Sequence, residues 1–410
     1  MLELVGLRLE VLFFKKLLQY LGIGPEIVQI GAYKSAAEPF DREGMAENSR
    51  EMGDTILTDI QDRMKELIAA NRAVRTSQVQ DWIDDGPHSA QECSKLGLSD
   101  GVCYEDELEK LLEDEEPGLI DLPWSKLRTE ESFLRRTLTF YRPQIAFIVA
   151  DGVIAPGLSR SSQGGRSVLG VETLKHLLRE AAEQKRVKAI VIRGNSPGGA
   201  ALSSDLIWRK ITRANENKPV IMSFGNIAAS GGYYIATAAR KVLAAPSTLT
   251  ESIGVIGGKL HLGGLFAKVG ITVDAVEKGK RADYTSPSRP FSEEETQVVR
   301  EQMRQFYEEL FLERVAEGRQ KSRKSARQAA EGRVWTGVQA LELQLLDQIG
   351  GLLGAFRAAQ LEAGLPETKQ ARIVTYTKKW RWRDLFSLPL ASPLSQERVF
   401  ALLSGRWSIH

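Results

Sequence analysis

The chain has 410 residues, of which 42% are apolar and 26% are charged, with a mean hydropathy of -0.23. This composition is typical of a soluble globular protein of roughly two to three domains, and it excludes a disordered, collagen-like or disulfide-scaffolded chain. Lysine and arginine total 55 against 53 acidic residues, so the net charge of +2 gives no global electrostatic reason to expect nucleic acid as a partner.

The first elements predicted along the chain are a helix and a strand. Apolar residues recur at helical spacing over residues 2–21, which predicts an amphipathic helix over about 9–21. Charged residues interrupt this apolar run, which excludes a membrane span or a secretory leader. A short apolar strand, Glu26–Ile30, is followed by the loop Gly31–Phe40 and a long helix over about 46–71.

From Ile145 onward, apolar strands alternate with amphipathic helices, which predicts an α/β domain with a buried sheet. The predicted strands are 145–150, 189–192, 219–222, 241–245 and 272–276. The predicted helices between them are 171–184, 202–215, 231–240 and 262–269. A long helix over 293–318, a helical region over 336–346 and a strand over 372–377 follow.

Cysteine and histidine give no sign of a metal centre. Cys93 and Cys103 fit a reduced thiol pair or a single disulfide, and the four histidines lie in no H-E-x-x-H or C-x-x-C context. We therefore expect neither a metal nor a cofactor.

Two stretches of the sequence repeat at an offset of about 250 residues. The block IGAYKSAAEPF, which precedes one long helix, parallels EKGKRADYTSPSRPF, which precedes another, and CSKLGLSDGV parallels ALELQLLDQIG. The first copy has no counterpart of residues 145 to about 250, so we expect it to be the back half of a duplicated unit.

Two glycine-flanked loops each follow a predicted strand and open a helix. The first is Arg193–Gly199, RGNSPGG, and the second is Gly225–Tyr234, GNIAASGGYY. Neither has the spacing of a phosphate-binding loop. Taken separately, each stretch is typical of a turn from a strand into a helix, and Ser230 is typical of a helix N-cap. Together, however, one loop offers backbone amides for an oxyanion and the next presents a hydroxyl, as nucleophilic catalysis requires.

A serine nucleophile needs a base, and no histidine lies in a motif with an acidic partner. A lysine can act instead if burial lowers its pKa, because desolvation disfavours the ammonium form. Composition alone does not choose among the lysines.

NSPGG, AASGGYY and PSTLTESIGVIG, together with VQIGAYKSAAEPFDREGM, resemble the signal peptide peptidase A (protease IV) family over roughly residues 5–110 and 143–365. The resemblance implies a ClpP/crotonase-like fold of repeated ββα units, with one complete copy preceded by the back half of a second. The implied segments are 1–116 for the partial repeat with the base, 117–143 for a linker, 144–365 for the catalytic domain and 366–410 for a tail.

The resemblance also implies a serine endopeptidase with a serine–lysine dyad. Matched residue by residue, Ser230 is the nucleophile, Lys34 the general base and Ser252 the residue that orients the lysine, while Gly199 and Gly231 supply the oxyanion amides. In the second repeat, Ala282 stands where a lysine would, and Lys278 and Lys280 are rivals for the base.

The family further implies peptide substrates such as cleaved signal peptides, a homo-oligomer (a tetramer), and association with a cell-envelope or thylakoid-type membrane. The Trp-rich basic end, with Trp380, Trp382 and Trp407, fits an interfacial anchor, packing or disorder. We expect the chain to lack a membrane anchor and the front half of the first repeat. For this reason one alternative is a catalytically impaired remnant that acts in an assembly. Because the implied fold is shared, the other alternative is an acyl-CoA enzyme of crotonase type.

Overall fold

The computed structural model describes residues 2–104, 107–108, 111, 142–161, 167–366 and 371–377. Most of the predicted linker over 117–143 and the three tail tryptophans, Trp380, Trp382 and Trp407, lie outside these residues. None of the described helices combines the length and the apolar character that crossing a membrane requires.

The α/β prediction is confirmed, because the described strands and helices alternate from residue 144 onward. The strands are β1 (Gly24–Ile30), β2 (Gln144–Asp151), β3 (Val153–Ala155), β4 (Arg160–Ser161), β5 (Ser167–Gly170), β6 (Val187–Ser196), β7 (Val220–Ala229), β8 (Lys241–Ala244), β9 (Leu249–Glu251), β10 (Val255–His261), β11 (Val334–Thr336), β12 (Gln348–Ile349) and β13 (Arg372–Tyr376). The helices are α1 (Lys15–Leu21), α2 (Glu38–Asp41), α3 (Glu47–Arg72), α4 (Thr76–Asp84), α5 (Ala90–Leu96), α6 (Val171–Glu183), α7 (Ala201–Asn217), α8 (Gly231–Ala236), α9 (Gly263–Lys268), α10 (Glu293–Gln305), α11 (Leu312–Gly318), α12 (Arg323–Ala329), α13 (Gly337–Glu342) and α14 (Leu352–Glu362).

The main sheet has the order β11-β9-β7-β6-β2-β13, and β8 joins it between β7 and β12. Its pairs are parallel except for β11 with β9. Strand β7 pairs with β8 through its first part and with β9 through Ile227–Ala229. The carboxyl ends of β6 and β7 lie side by side. Both strands are longer than the sequence predicts, because Arg193–Ser196 belongs to β6 and Gly225–Ala229 to β7, so that only the ends of the two glycine-flanked stretches leave the sheet.

Side chains of this sheet alternate between two apolar cores. Ala146 and Ile148 of β2 belong to the core that contains α6, α7 and α8 residues, whereas Ile145 belongs to the core that contains Ala355 of α14. Because both faces are covered, the strands are continuous apolar runs in the sequence. This burial fixes the strand ends from which the loops emerge.

The chain divides into two compact units, with boundaries after residues 9, 56 and 141. Described residues 10–56 belong to the same unit as the main sheet, because β1 pairs antiparallel with β10 from Gly24↔His261 to Ile30↔Val255. The other unit has its own core, formed by Leu4, Ala69, Val79, Trp82 and Ile83. The predicted segments 1–116, 117–143, 144–365 and 366–410 stay a prediction, and Arg372–Tyr376 of the last segment forms β13, which pairs with β2.

The helices of the two sequence repeats follow the same order. Helix α3 of the first repeat corresponds to α10 and α11 together, α4 corresponds to α12, and α5 corresponds to α13. A π-helical segment, Phe306–Phe311, joins α10 to α11. A capping box starts both final helices, at Ser89 and at Thr336, 247 positions later.

Two features of the chain bear on the sequence predictions. The predicted strand over 272–276 is wrong, because these residues are exposed and adopt no regular structure. The two cysteines are free, with Cys93 buried in α5 and Cys103 exposed.

Candidate active site

Ser230 stands alone between the end of β7 and the start of α8, at a φ of 52° and a ψ of −118°. A residue other than glycine seldom adopts a positive φ, and such strain costs about 1–3 kcal/mol unless neighbours hold it. The Ser230 amide donates to the Glu251 carbonyl at 2.6 Å, and the Ser230 carbonyl accepts from the Tyr234 amide at 2.8 Å. The Ser230 side chain makes no capping hydrogen bond, so its hydroxyl is not committed to the helix.

Two glycine amides lie next to this serine. A Cβ atom added to Gly198, which has a φ of 103°, would lie 2.8 Å from both the Gly231 nitrogen and Ser230 Cβ. A Cβ atom added to Gly231 would lie 3.3 Å from the Gly199 nitrogen. Because Gly231 is the first residue of α8, its amide has no acceptor within the helix. The loops after β6 and β7 thus bring the amides of Gly199 and Gly231 beside Ser230.

Lys34 lies in the loop after β1, and only 5% of it is exposed. Its Nζ donates to the Ser252 carbonyl at 2.8 Å and to Ser252 Oγ at 3.0 Å. Ser252 Oγ in turn donates to the Gly332 carbonyl at 3.3 Å. Burial lowers the pKa of Lys34 from its ordinary value to about 7. Within the described residues no carboxylate pairs with this amine, so nothing opposes that shift.

The segment 331–333 fixes the lysine loop against the Ser252 loop. The Tyr33 amide donates to the Glu331 carbonyl at 2.8 Å, and the Ser252 amide donates to the Arg333 carbonyl at 2.9 Å. The Gly332 amide donates to the Ile253 carbonyl at 2.7 Å. Together with β1 and β10, these bonds hold Lys34 firmly although it is distant in sequence from Ser252.

Replacing Gly332 by alanine tests this attachment. Gly332 has a φ of 79°, and an added Cβ atom would lie 2.6 Å from the Lys34 nitrogen. We expect Gly332→Ala to lower the free energy of unfolding by about 1–3 kcal/mol in urea titrations. Gly351→Ala is the matched control, because its Cβ atom would meet no atom within 4 Å. Equal stability of the two variants would contradict the described packing.

Ser230 and Lys34 are connected through two successive residues. The Glu251 carbonyl accepts from the Ser230 amide, and Ser252, the next residue, binds the Lys34 amine. No hydrogen bond joins Lys34 directly to Ser230 in the described part of the chain. The predicted residues Ser230, Lys34, Ser252, Gly199 and Gly231 thus lie on neighbouring loops of one unit.

The rival lysines lie in different surroundings. Lys278 and Lys280 are exposed, and Lys280 Nζ pairs with Glu294 at 2.9 Å. An exposed amine is not desolvated, so neither residue has the environment of Lys34.

The family model that matches this chain is that of peptidase family S49, over residues 1–117 and 212–366. The matched ranges contain Lys34, Ser230 and Ser252. The chain belongs to peptidase family S49. The resemblance to signal peptide peptidase A inferred from the motifs is thereby confirmed.

Three relatives show how much of this S49 chain is shared. A chloroplastic serine protease SPPA of Arabidopsis thaliana is 32% identical over 92% of the chain and 56% of its own length. Protease 4 of Salmonella typhi is 31% identical over 88% of the chain and 59% of its own length. A putative protease of Synechocystis is 35% identical over 56% of the chain and 78% of its own length. The chain thus spans less than two thirds of the first two relatives.

The apolar residues near Ser230 divide into two groups. Tyr233, Tyr234 and Ile253 are buried in the core. Ile227 and Val255 are half-buried. Of the two roles left open by the sequence, core packing therefore applies to the first group, and Val255 of the second group also packs against this core.

Sequence reasoning missed two charged residues beside the site. Arg333 lies between the rings of Tyr33 and Trp335, 4.8 and 4.5 Å from their centroids, and binds Glu51 at 2.9 Å. Glu251 is fully buried next to Ser252. The one signal for Glu251 was a charged residue inside the apolar stretch LTESIGVIG.

Proposed function

We propose that this S49 protein is a serine peptidase in which Ser230 is the nucleophile and Lys34 is the general base. The observation that supports it most is the environment of Lys34, which is buried, free of carboxylate partners in the described chain, and bonded to Ser252. With a pKa of about 7, a large fraction of this amine is neutral near neutral pH. A neutral amine is what proton removal from a serine requires.

The proposed reaction has two stages. In the first, neutral Lys34 takes the proton of Ser230 while Ser230 Oγ attacks the peptide carbonyl carbon, and the amides of Gly199 and Gly231 bind the oxyanion. The ammonium of Lys34 then returns this proton to the departing amine, leaving an acyl-enzyme. In the second, water attacks the ester carbonyl carbon while neutral Lys34 takes a proton from it. The bond from the acyl carbon to Ser230 Oγ then breaks, and the Lys34 ammonium returns the proton to Ser230 Oγ as the acid product leaves. Ser252 orients the amine in both stages.

The missing direct hydrogen bond between Lys34 and Ser230 fits this proposal. Catalytic hydrogen bonds are often long in a free enzyme and shorten when substrate binds. Each amide donor of an oxyanion hole typically contributes about 2.7–4 kcal/mol to transition-state stabilisation.

The pH dependence of peptide hydrolysis tests the proposal. A lysine whose pKa is lowered to about 7 is protonated below that pH and cannot act as a base. We therefore expect the hydrolysis rate of a fluorogenic apolar peptide to rise about tenfold per pH unit as the pH approaches this pKa from below. A folded protein without hydrolysis at any pH would instead favour the catalytically impaired remnant.

Other parts of the proposal rest on the resemblance and on the relatives. We infer a ClpP/crotonase-like fold for the catalytic segment, apolar peptides such as cleaved signal peptides as substrates, and a homo-oligomer at a cell-envelope or thylakoid-type membrane. Exposed apolar side chains support a contact surface, namely Val269, Ile271, Val273 and Val276. The family match favours peptide hydrolysis over acyl-CoA chemistry.

A further inference from the structure

Glu251 occupies a central position beside the proposed dyad. It is the last residue of β9, where it pairs with Ala229 of β7 on one side and with Val334 of β11 on the other. Its carbonyl accepts from the Ser230 amide, and Ser252 follows it directly. Any movement of Glu251 would therefore displace an attachment of the nucleophile and the partner of the base together.

The backbone at this position is unusual. Glu251 and Ser252 have φ values of 72° and 50°, so two successive residues other than glycine have left-handed conformations. Such a backbone conformation is strained for a residue with a side chain, and it persists only where the surroundings enforce it. The turn is thus held by its neighbours rather than by its own preference.

The Glu251 side chain is fully buried, and neither carboxyl oxygen has a hydrogen-bond partner in the described chain. The titratable and charged groups that face it are Tyr233 of α8 and Arg319 after α11. The Tyr233 hydroxyl donates to the Leu345 carbonyl, and Arg319 pairs with Asp347 at 2.7 Å. Arg319 Nε has no hydrogen-bond partner in the described chain, and the Arg319 charge partly offsets the effect of burial on Glu251. A charge on Glu251 would still have no hydrogen-bonded partner there.

We propose that Glu251 is a positioning residue of the Ser230–Lys34 site, and that its buried side chain must be uncharged for the turn to hold both groups. This inference rests on the proposed function. Burial raises the pKa of the Glu251 carboxyl well above its ordinary value, which is consistent with a neutral side chain near neutral pH. On ionisation, the carboxylate must move toward water, and the turn must move with it.

The site therefore depends on two protons in opposite ways. Lys34 must lose its proton to act, whereas Glu251 must keep its own. The rate of Ser230 acylation should rise with pH as Lys34 becomes neutral and fall again at alkaline pH as Glu251 ionises, which gives a bell-shaped profile.

The bell-shaped profile is tested by the rate at which a fluorophosphonate probe modifies Ser230. This rate is measured from about pH 6 to about pH 10 and normalised to each protein's own maximum. We expect the native rate to fall on the alkaline side, where Glu251 ionises, and the rate of Glu251→Gln to stay within about twofold of its maximum there. Glu216→Gln, an exposed carboxylate paired with Arg213, should keep the native profile. An alkaline fall that persists in Glu251→Gln, or is missing from the native chain, would overturn the inference.

A second measurement does not depend on catalysis. Because the folded-state pKa of Glu251 is raised, the unfolded chain loses this proton first, and the native state loses stability as pH rises above the ordinary carboxyl value. The unfolding constant of the native chain relative to Glu251→Gln should grow by up to about tenfold per pH unit until the folded-state carboxyl itself ionises.

The two measurements separate the possible failures. If the native chain is not acylated but the unfolding constants diverge with pH, the proposed function is wrong and the buried neutral carboxyl stands. If the unfolding constants stay parallel, the inference about Glu251 is wrong whatever the activity. Should Glu251→Gln not fold, Glu251→Gly serves both tests, because glycine accepts the positive φ.

Discussion

Ser230→Ala is expected to abolish fluorophosphonate labelling and to lower peptide hydrolysis by several orders of magnitude, up to about 10⁶-fold, the range found when a nucleophilic serine is removed. The reason is structural as well as chemical. Ser230 lies in a strained turn beside two glycine amides, and its hydroxyl makes no capping hydrogen bond. Alanine fits the same turn but lacks the oxygen. No other group at this position can form the acyl-enzyme.

The matched control for this change is Ser247→Ala, which removes a hydroxyl from an exposed turn of the same unit. Its labelling and hydrolysis should equal those of the native chain. The described structure assigns no capping hydrogen bond to the Ser230 hydroxyl, so we expect Ser230→Ala to keep the free energy of unfolding of the native chain. A loss of activity would then reflect the missing hydroxyl and not a loss of stability. Hydrolysis that persists in Ser230→Ala would move the nucleophile elsewhere.

Lys34→Met is expected to lower the acylation rate by about 10²–10⁴-fold, the usual contribution of a positioned general base. Methionine has a similar length and preserves the packing, but it cannot accept a proton. Lys280→Met is the matched control, since Lys280 is exposed and paired with Glu294. Its acylation rate should stay native, and a reversed outcome would assign the base to Lys280.

Lys34→Met should also be more stable than the native chain at neutral pH. The folded-state pKa of Lys34 is about 7, below that of a free lysine, so protonation opposes folding and native stability rises with pH between these two values. Lys34→Met removes the cost of deprotonating a buried lysine, so its advantage over the native chain should be largest at neutral pH and shrink as pH rises between these two values. Loss of activity with a gain of stability would exclude unfolding as the cause, and it is measurable by urea titration.

The buried sheet could be predicted because local sequence determines it. Strands β2, β6, β7 and β8 are apolar runs bounded by turn residues, and helices α6 and α7 have a clear apolar face. The segment 272–276 has the same strand-like composition but no neighbouring strand in the described structure, so pattern alone was misleading there. Strand β10 was missed because Gly257 and Gly258 interrupt its apolar pattern.

The attachments between loops could not be read from the sequence, because they join residues more than 200 positions apart. The pairing of β1 with β10 and the bonds from Lys34 to Ser252 depend on the folded chain. The proposal of Lys34 as the base followed from a resemblance, and the structure adds the burial of its side chain. The position of Glu251 inside the apolar stretch LTESIGVIG was the one signal of its burial, and the residue pattern did not indicate that its carboxyl has no hydrogen-bond partner in the described chain.

The most direct measurement is the site and rate of fluorophosphonate modification, determined by peptide mass spectrometry on the native chain, Lys34→Met and Lys280→Met at about pH 8, where most of the Lys34 amine is neutral. A Ser230–Lys34 dyad predicts an adduct on Ser230 at equal rates in the native chain and in Lys280→Met. In Lys34→Met the same adduct should form at least about a hundred times more slowly. Equal rates in all three proteins, or an adduct on another residue, would contradict it.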